Sequence, residues 1–555
     1  MKRLSIFLFL LLAVIPLRGA SWKLDRVATM VDCGRKVQLN VTGDVPGRIR
    51  WQSSDKRVAR VNRKGIVRGR SKGDAVITAL CPETGDEVRC LVSVGYEGQN
   101  PILPPTWGLF IADAEPHVFD GRMYLFGSRD HYAGLDEKGH LDFCSQDYHV
   151  LWSDDLVHWN DAGVALRMKD IPADVVGDAT RLWAPDVFRD PVTHKYHMVT
   201  CTNKDRDLIL DADRPEGPYG NARLITLDGK PYKSIDPGAL VDDDGKVYIA
   251  LPKFIVAQLD PEDYSRILPE SVRDLSSVMP EDNEPFEGPS LRKRGDTYYY
   301  SYIQNVGKVA ERGACPTRMA YLTAKAPLGP YEYQGLIVTN YDYPGTINIH
   351  GSIEPFEGEW YVAYHRSIPG LGISRVANLD PLTFREDGTI EEVKMTSSGV
   401  RVAFRAGDVI QASAAVQYAR GREGGLQVVR SEPTGEPYGY RMTDYPYLSF
   451  TEAGQWAGYR YLDFSPRMTR LTVRVAAEQA GGKLVFRRGD PEGEILAEAA
   501  IPSTGGAWKE VTVPLKATAS GRDAFYLVAT DIPQGARIDV DRFSFHPRRL
   551  LRRHI

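Results

Sequence analysis

One short sequence pattern recurs five times between about residues 107 and 398, and it constrains the fold more than any other feature. Each copy begins with polar residues beside Pro or Gly, continues through a short apolar strand, turns, and enters a second, aromatic strand. The copies are ADAEPHVFDGRMYLFG, WAPDVFRDPVTHKYHMV, IDPGALVDDDGKVYIAL, FEGPSLRKRGDTYYYSY and IHGSIEPFEGEWYVAYH, starting at residues 112, 183, 235, 286 and 349. A spacing of roughly 50–70 residues is the period of a propeller blade. The pattern therefore predicts an all-β fold with a five-bladed β-propeller.

Four copies place an ionisable residue near the start of their first strand. These residues are Asp113, Asp236, Glu287 and His350, each close to a Pro or Gly. A single Asp at a strand start is usually a turn or capping residue. Four ionisable residues in register across a repeat favour a different interpretation, because the innermost strands of all blades converge on the propeller axis. We predict that three carboxylates and a histidine meet in one pit.

The N-terminus has the features of a secretory signal peptide. Lys2 and Arg3 precede an apolar run from Leu4 to Leu17, and small residues follow. That run is too short for a comfortable membrane span, and no later span is evident in the sequence. We predict a signal peptide over residues 1–20, no membrane span, and a secreted or periplasmic protein.

Charge and cysteine content exclude some classes and leave one question open. The net charge of −4 gives no electrostatic case for nucleic acid. No Cys/His cluster has zinc spacing. Export permits disulfides, and Cys81 and Cys90 flank PETGDEVR symmetrically. A disulfide across a hairpin and separate buried thiols are both consistent with this spacing.

The repeat copies also contain more specific motifs. They are A-D-x-E-P-x-V-F-x-G, W-A-P-D-V, S-I-D-P-G-A-L-V-D-D-D-G, E-G-P-S-L-R-K-R and H-G-S-I-x-x-F-x-G-x-W-Y-x-x-Y-H. Together they resemble glycoside hydrolase family 43 over residues 107–398. The resemblance implies a five-bladed propeller that cleaves arabinosyl, xylosyl or galactosyl linkages, usually with inversion. The first copy departs from the family's frequent A-D-P, since Ala114 follows Asp113.

The resemblance assigns a role to each carboxylate. Asp113 is the general base that activates water, and Glu287 is the general acid that protonates the departing oxygen. Asp236 holds Glu287 in place and keeps the pKa of Glu287 high through like-charge proximity. An inverting hydrolase needs one ionised and one protonated carboxyl group, roughly 6.5–9.5 Å apart, with water between them. Such chemistry requires no cofactor.

Further residues are candidates for binding. His131, Trp183 and Arg375 are predicted to line the sugar subsite, although core packing or a surface ion pair explains each comparably well. In the family a histidine at the position of His350 lies over the axis beside calcium or water, so a structural calcium and a hydrogen-bonded core histidine both stay open. The DDDG stretch lacks the other ligands of an EF-hand and is predicted to be a hairpin turn.

Two further β-domains flank the repeat. WQSSDKRVARVNRKGIVRGRSKGDAVITA resembles bacterial Ig-like group 2 domains, and A-x-x-x-x-G-G-x-L with I-P-x-T-G-G-x-W resembles carbohydrate-binding module family 6. We predict an Ig-like domain over 21–97, the catalytic propeller over 98–400 and a carbohydrate-binding β-sandwich over 401–555. Removing the last of these is expected to leave hydrolysis of small substrates nearly unchanged.

Aromatic residues of the C-terminal domain are candidates for stacking on sugar. They are Tyr438, Tyr440, Trp456 and Trp508, and a place in the domain core explains Trp456 and Trp508 equally well. The family's usual acidic residue after I-Q-A is Ser413 here, which puts a calcium in that module in doubt.

These features predict an exported, inverting exo-glycoside hydrolase that acts on a plant-type polysaccharide or oligosaccharide. The first choice of activity is α-L-arabinofuranosidase. The alternatives are β-xylosidase and a galactosidase or galactanase of the same family. A non-catalytic glycan-binding or adhesion protein is the alternative of another class, and the three intact carboxylates argue against it. The sequence leaves the oligomeric state open.

Overall fold

The computed structural model describes residues 21–96, 98–130, 143, 145–280, 284–305, 317–340, 348–367, 374–419, 427–429 and 447–547. The chain divides into two compact units, Met1–Gly95 and Tyr96–Ile555. Regular structure is almost entirely β: the described residues contain one short α-helix, Ala173–Val176, and a few single 3₁₀ turns. None of their helices is long and apolar enough to cross a membrane. The all-β prediction is confirmed.

The first unit is built from short strands around its own apolar core. In Gly73–Leu80 the side chains of Ala75, Ile77 and Ala79 are buried and alternate with less buried ones, the pattern of a strand with one face on a core. Trp22 and Val92 belong to the same core. The strands are Trp22–Leu24, Ala28–Val31, Lys36–Gln38, Val41–Gly43, Arg50–Ser53, Ala59–Val61, Ile66–Gly69, Gly73–Leu80 and Glu87–Val94.

The hairpin that carries Cys81 and Cys90 holds them as separate thiols, which is one of the two alternatives that the sequence leaves open. Its register pairs Leu80 with Glu87 and Ile77 with Cys90, so Cys90 faces Ile77 across the sheet and not Cys81. Both cysteines are buried, and neither forms a disulfide. The turn is centred closer to Cys81 than the symmetric flanks of the sequence suggested, which offsets the two cysteines along the strands.

Five antiparallel sheets follow one another in the described part of the second unit, and each begins with one copy of the repeated pattern. We call them sheets I to V. Sheet I is Phe110–Phe119, Arg122–Asp130, Asp147–Ser153 and Trp159–Arg167; sheet II is Leu182–Arg189, Tyr196–Thr202, Arg206–Ala212 and Gly220–Leu224; sheet III is Gly238–Val241, Val247–Leu251, Ile255–Asp260 and Asp263–Ile267, with the short strands Thr226–Leu227, Lys230–Pro231 and Arg273–Asp274; sheet IV is Glu284–Arg294, Thr297–Asn305, Thr317–Ala324 and Glu332–Thr339; sheet V is Gly351–Phe356, Glu359–Ser367 and Arg375–Leu382.

Successive sheets pack face to face through separate apolar clusters. One cluster joins sheets I and II, the next joins II and III, and two more join III with IV and IV with V. The aromatic run in sheet IV shows how one strand serves two clusters. Tyr298 and Tyr300 point into the cluster with sheet III, whereas Tyr299 points into the cluster with sheet V, as the alternation of a strand requires. The innermost strands of sheets I and V pair in parallel at Ala114 and Gly351, so the last sheet meets the first. This arrangement is a β-propeller.

The C-terminal part is a β-sandwich. Its core includes Phe486, Phe525, Phe543 and Phe545, whose rings contact each other edge to face. One sheet has Gln427–Val429, Tyr447–Phe450, Ile538–Pro547, Met468–Ala476 and Lys509–Pro514, with Ile410–Gln411 paired to Ile538–Pro547; the other has Gln417–Tyr418, Trp456–Phe464, Gly521–Thr530, Lys483–Arg488 and Ile495–Ala500.

The propeller and the sandwich share buried contacts. Arg366 of sheet V is buried, and its Nη1 donates a hydrogen bond to the carbonyl of Ala415 (2.7 Å). Phe110 and Val376 of the propeller belong to the apolar core of the sandwich, and Val416 packs in the cluster between sheets IV and V. These contacts explain why both parts lie in one compact unit.

Candidate active site

The innermost strands begin with an unusual backbone conformation. The φ angle is positive at Asp113 (52°), Ala184 (34°), Asp236 (48°) and Gly288 (62°), which is uncommon for non-glycine residues. Register shifts occur at the same places in sheets I, II and IV. Bulges of this kind redirect side chains beside functional sites, and strained backbone is concentrated there. The starts of the innermost strands therefore depart from regular strand pairing, as is common beside functional sites.

The four ionisable residues predicted to converge do lie together. The Nδ1 atom of His350 is 3.4 Å from Asp113 Oδ1 and 3.9 Å from Asp236 Oδ2. Glu287 immediately precedes Gly288, where an added Cβ would lie 2.8 Å from the ring of His350. Glycine is required there, because any side chain would displace the histidine. Asp113, Asp236 and His350 are buried, whereas Glu287 is partly exposed.

Asp113 is held in its ionised form. Arg375 Nη1 donates to its Oδ1 (2.8 Å), and the Ser128 hydroxyl donates to its Oδ2 (2.7 Å). Burial by itself would raise the pKa of Asp113. The charge of Arg375, and then the hydrogen bond and charge of His350, outweigh burial and lower that pKa well below its usual range. A carboxylate that stays ionised is suited to accept a proton from water.

Asp236 and Glu287 are electrostatically coupled, and their environment retains a proton. Burial and then the charge of Glu287 raise the pKa of Asp236 to about 8. Burial also raises the pKa of Glu287, although His350 and a hydrogen bond from Asn348 act in the opposite direction. The pair therefore holds one proton near neutral pH, and its titration belongs to both groups. One ionised and one protonated carboxyl site lie in the same pit.

His350 contacts carboxylates, as a cation would. Burial lowers its pKa, but the hydrogen bond and charge of Asp113 outweigh burial and raise the pKa to about 9. An imidazolium has no free lone pair for a metal. The contacts of His350 are those of a hydrogen-bonded histidine, and its association with calcium stays a prediction.

The predicted subsite residues have different surroundings. Arg375 is buried, pairs Asp130 through Nε (2.8 Å) and Nη2 (2.9 Å), and contacts the base candidate Asp113 with its remaining nitrogen. Trp183 is partly exposed, and its Nε1 donates to the carbonyl of Phe143 (2.9 Å). His131 lies outside the described residues. Sugar contact by Trp183 and Arg375 stays a prediction.

Several side chains at the pit were not selected from the sequence. Ser128 pairs opposite Ala112, Cys201 opposite Trp183, and the backbone N–H of His365 donates to the carbonyl of His350 (3.0 Å). Each lies on the second strand of its sheet, opposite the start of the first. Aligning the second strands of the five copies would have shown these positions. Asn348 follows no repeat position, and no sequence signal pointed to it.

A second group of charges lies farther along the innermost strands. Glu115, His117 and Asp186 have candidate ligand atoms within 4.8 Å of one another. Arg292, however, bonds Glu115 at 2.6 Å, and Asp186 accepts a hydrogen bond from the backbone of Ala239 at 2.6 Å. Because a guanidinium already neutralises the cluster, this group serves as an ion-pair network and does not fit a metal ion.

Two of the four aromatic candidates of the sandwich, Trp456 and Trp508, lie in the described residues and are partly exposed. Trp508 is partly exposed and lies between Tyr447 (5.1 Å, edge to face) and the guanidinium of Arg474 (5.1 Å). Trp456 packs edge to face on Tyr526 (5.4 Å). Ser413 lies in the 3₁₀ turn Ala412–Ala414. Tyr438 and Tyr440 lie outside the described residues.

Comparisons with known proteins agree with this geometry. A family model described as Glycosyl hydrolases family 43 matches residues 99–390, more than half of the chain. Models described as Carbohydrate binding module (family 6) and Bacterial Ig-like domain (group 2) match residues 427–547 and 23–92. The propeller with its carboxylate pit defines a glycoside hydrolase. The chain belongs to glycosyl hydrolases family 43. The three predicted resemblances and the predicted enzyme class are confirmed.

Individual relatives have related names. The chain is 34% identical over 342 residues to a "Xylosidase/arabinosidase" of Thermoclostridium stercorarium, covering 54% of this chain and 67% of the relative. It is 27% identical over 489 residues to an "Arabinoxylan arabinofuranohydrolase" of Paenibacillus polymyxa, covering 81% and 74%. A solved arabinoxylan arabinofuranohydrolase from Bacillus subtilis, in complex with cellotetraose, matches with a TM-score of 0.46 and 23% identity over 81% of this chain and 97% of the other.

Proposed function

We propose that this protein is an exported, inverting, exo-acting glycoside hydrolase that removes α-L-arabinofuranosyl groups from a plant-type polysaccharide. The observation that supports this mechanism is that carboxyl groups in the same pit differ in protonation. Arg375 and Ser128 keep Asp113 ionised, while Asp236 and Glu287 retain a proton between them. An inverting glycosidase needs this combination of base and acid.

In the proposed reaction Asp113 takes a proton from a water molecule as the water oxygen attacks the anomeric carbon. Glu287 gives its proton to the glycosidic oxygen, and the bond between that oxygen and the anomeric carbon breaks. Asp236 favours the protonated form of Glu287, because two adjacent carboxylates resist ionising together. Water is the only co-reactant, so the chemistry needs no cofactor; a calcium near His350 would have a structural role.

The choice of sugar rests on the relatives. The arabinofuranohydrolase of Paenibacillus polymyxa aligns over 81% of this chain, beyond the propeller alone. The name of the Thermoclostridium stercorarium relative includes both xylosidase and arabinosidase. β-Xylosidase is therefore the second candidate. The sandwich is proposed to hold the enzyme on its polymer through Trp508, and residues 1–20 to direct export.

Two measurements on the purified protein test this proposal. Nitrophenyl arabinofuranoside, xyloside and galactoside are compared as substrates, and we expect the arabinofuranoside to give the largest kcat/KM. Proton NMR of the first minutes of hydrolysis then reads the anomeric configuration of the released sugar before mutarotation. Inversion is expected. A retained anomer would contradict the role of Asp113, and no hydrolysis of any of the three would contradict the exo-glycosidase assignment.

A further inference from the structure

We propose that Asn348 and His365 are positioning residues that determine which oxygen of Glu287 carries the catalytic proton. This inference rests on the proposed role of Glu287 as general acid. It concerns a chain of three hydrogen bonds that connects the strand of the base with the side chain of the acid, through two residues that have no assigned part in the chemistry.

The chain begins at the backbone of Asp113. Its N–H donates to His365 Nδ1 (2.9 Å), and His365 Nε2 lies 2.8 Å from Asn348 Oδ1. The amide nitrogen of Asn348 in turn donates to Glu287 Oε1. Asn348 and His365 are both buried. Each contact is therefore shielded from water, where hydrogen bonds are strongest.

The direction of every bond in this chain follows from its first member. A backbone N–H can only donate, so His365 Nδ1 must accept and carry no hydrogen. Nδ1 also lies 3.4 Å from Asp113 Oδ1, but a hydrogen directed at that oxygen would collide with the shorter backbone contact. The hydrogen of the neutral ring is consequently on Nε2. Burial, and then the charge of Arg375, lower the pKa of His365 to about 4, which supports the neutral ring.

The tautomer of His365 fixes the orientation of Asn348. Because Nε2–H donates, the amide oxygen of Asn348 must face the histidine, and the amide nitrogen must face Glu287. Glu287 Oε1 is then an acceptor, and because the carbonyl oxygen of a neutral carboxyl group accepts more strongly than its hydroxyl oxygen, this bond favours the acidic hydrogen on the other oxygen. The proton that Glu287 transfers is therefore on Oε2. After transfer, the same amide hydrogen bond stabilises the carboxylate that remains.

The proton balance of the step is simple. The hydrogen on Oε2 moves to the glycosidic oxygen, and the electron pair of the broken bond stays with that oxygen. Asp113 receives the proton of the attacking water. His365 and Asn348 exchange no proton with the substrate. They set the position of the proton before the reaction begins.

Removing Asn348 should therefore affect only the acid-assisted part of the reaction. With Asn348→Ala we expect kcat for the methyl glycoside of the preferred sugar to fall by about tenfold to hundredfold, because general-acid catalysis contributes about 10²- to 10⁴-fold and only part of it is lost. The dinitrophenyl glycoside, whose leaving group needs little protonation, should change by less than about threefold. Loss of a hydrogen bond to the carboxylate raises the pKa of Glu287. In the profile of kcat/KM against pH, the fall on the alkaline side (the alkaline limb) should therefore move to higher pH.

A nearly isosteric second variant covers the case in which Asn348→Ala folds poorly. Asn348→Asp places a carboxylate oxygen against Glu287 Oε1, and the two oxygens then compete for the proton. We expect the alkaline limb to move to higher pH and the methyl glycoside to be affected selectively. Asn340→Ala is the matched control, because this buried asparagine of the same region bonds Thr317. It should leave the ratio of the two substrates and the alkaline limb unchanged.

The outcomes separate the inference from the proposed function. Asn348→Ala and Asn348→Asp could each lower kcat equally on the methyl and dinitrophenyl glycosides and leave the alkaline limb of the pH profile in place. That result would show a merely structural role for Asn348 and overturn the inference. Glu287→Gln is assayed in parallel. If Glu287→Gln discriminates between the two leaving groups and the Asn348 variants do not, only the inference fails. If Glu287→Gln does not discriminate, the acid assignment itself fails.

Discussion

Single residues in the pit differ in protonation because their neighbours differ in charge. Asp113 faces Arg375, so its carboxylate is stabilised. Asp236 lies near the carboxylate of Glu287, and the thiol of Cys201 donates a weak hydrogen bond to Asp236 (Sγ–Oδ1 3.7 Å). Their different surroundings thus shift the pKa values of two aspartates in opposite directions. The same separation of pKa values is the general means by which one site supplies both a base and an acid.

Replacing the acid candidate should affect poor leaving groups most. We expect Glu287→Gln to lower kcat on arabinoxylan-derived oligosaccharides by about 100-fold or more, while a dinitrophenyl glycoside retains much of its rate. The reason is that a good leaving group departs without a proton. Initial rates on both substrate types measure the difference, and equal losses would contradict the acid role.

The coupled pair also predicts a change in pH dependence. The alkaline limb of kcat/KM reports loss of the proton shared by Asp236 and Glu287. In Asp236→Asn a neutral amide replaces one of the two charges, so the pKa of Glu287 should fall and the alkaline limb should move to lower pH. The acid limb, which belongs to Asp113, should stay in place. An alkaline limb that moves upward or not at all would contradict the proposed role of Asp236.

Among the elements, the innermost strands depend on one buried arginine. Arg292 of sheet IV pairs Glu115 of sheet I (2.6 Å) and Glu354 of sheet V (2.7 Å). It also donates to the hydroxyl of Ser352 (3.1 Å) and the carbonyl of Pro116 (2.8 Å). Three strands that are distant in sequence are therefore joined at one side chain. Their relative position determines where Asp113, Glu287 and His350 meet.

Arg292→Met should consequently destabilise the whole propeller. Loss of the guanidinium leaves two buried carboxylates without their cationic partner, which costs about 3–5 kcal/mol in comparable cases. We expect a lower midpoint of urea unfolding, measured by tryptophan fluorescence. Lys246→Met is the control, because the ion pair of Lys246 with Asp244 is largely exposed and should leave the midpoint unchanged. Equal midpoints for Arg292→Met and the wild type would contradict this role.

Over the whole molecule, the propeller and the C-terminal sandwich depend on each other. The backbone N–H of Ser398 donates to the carbonyl of Arg460 (3.1 Å), and the side-chain amide of Gln99 donates to the carbonyl of Val409 (3.5 Å). Arg366, which donates to Ala415, directly follows His365 of the pit. The sequence suggested that the sandwich is separable from catalysis. These contacts favour the opposite expectation.

A chain that ends at residue 401 should therefore melt at a lower temperature and lose most activity on small aryl glycosides. The truncation exposes apolar side chains of sheets IV and V and leaves Arg366 without its carbonyl partner. Circular dichroism and nitrophenyl release measure the two effects. Trp508→Ala is the matched comparison, and it should keep both properties while binding less insoluble arabinoxylan. Unchanged melting and kcat in the truncated chain would show that the shared contacts contribute little.

Short-range patterns in the sequence were sufficient to predict the fold and part of the site. The repeat, the alternation of Tyr298 to Tyr300 and the carboxylates at the strand starts are short-range features, so they predicted the β-fold, the propeller and the convergence of Asp113, Asp236, Glu287 and His350. Protonation and proton position depend on groups from other sheets, and their distances exist only after folding. Arg375 at Asp113 and Asn348 at Glu287 are such contacts, and so is the offset of Cys81 from Cys90. Coulomb and hydrogen-bond energies change steeply over a few ångströms, which a repeat with a spacing of tens of residues does not specify.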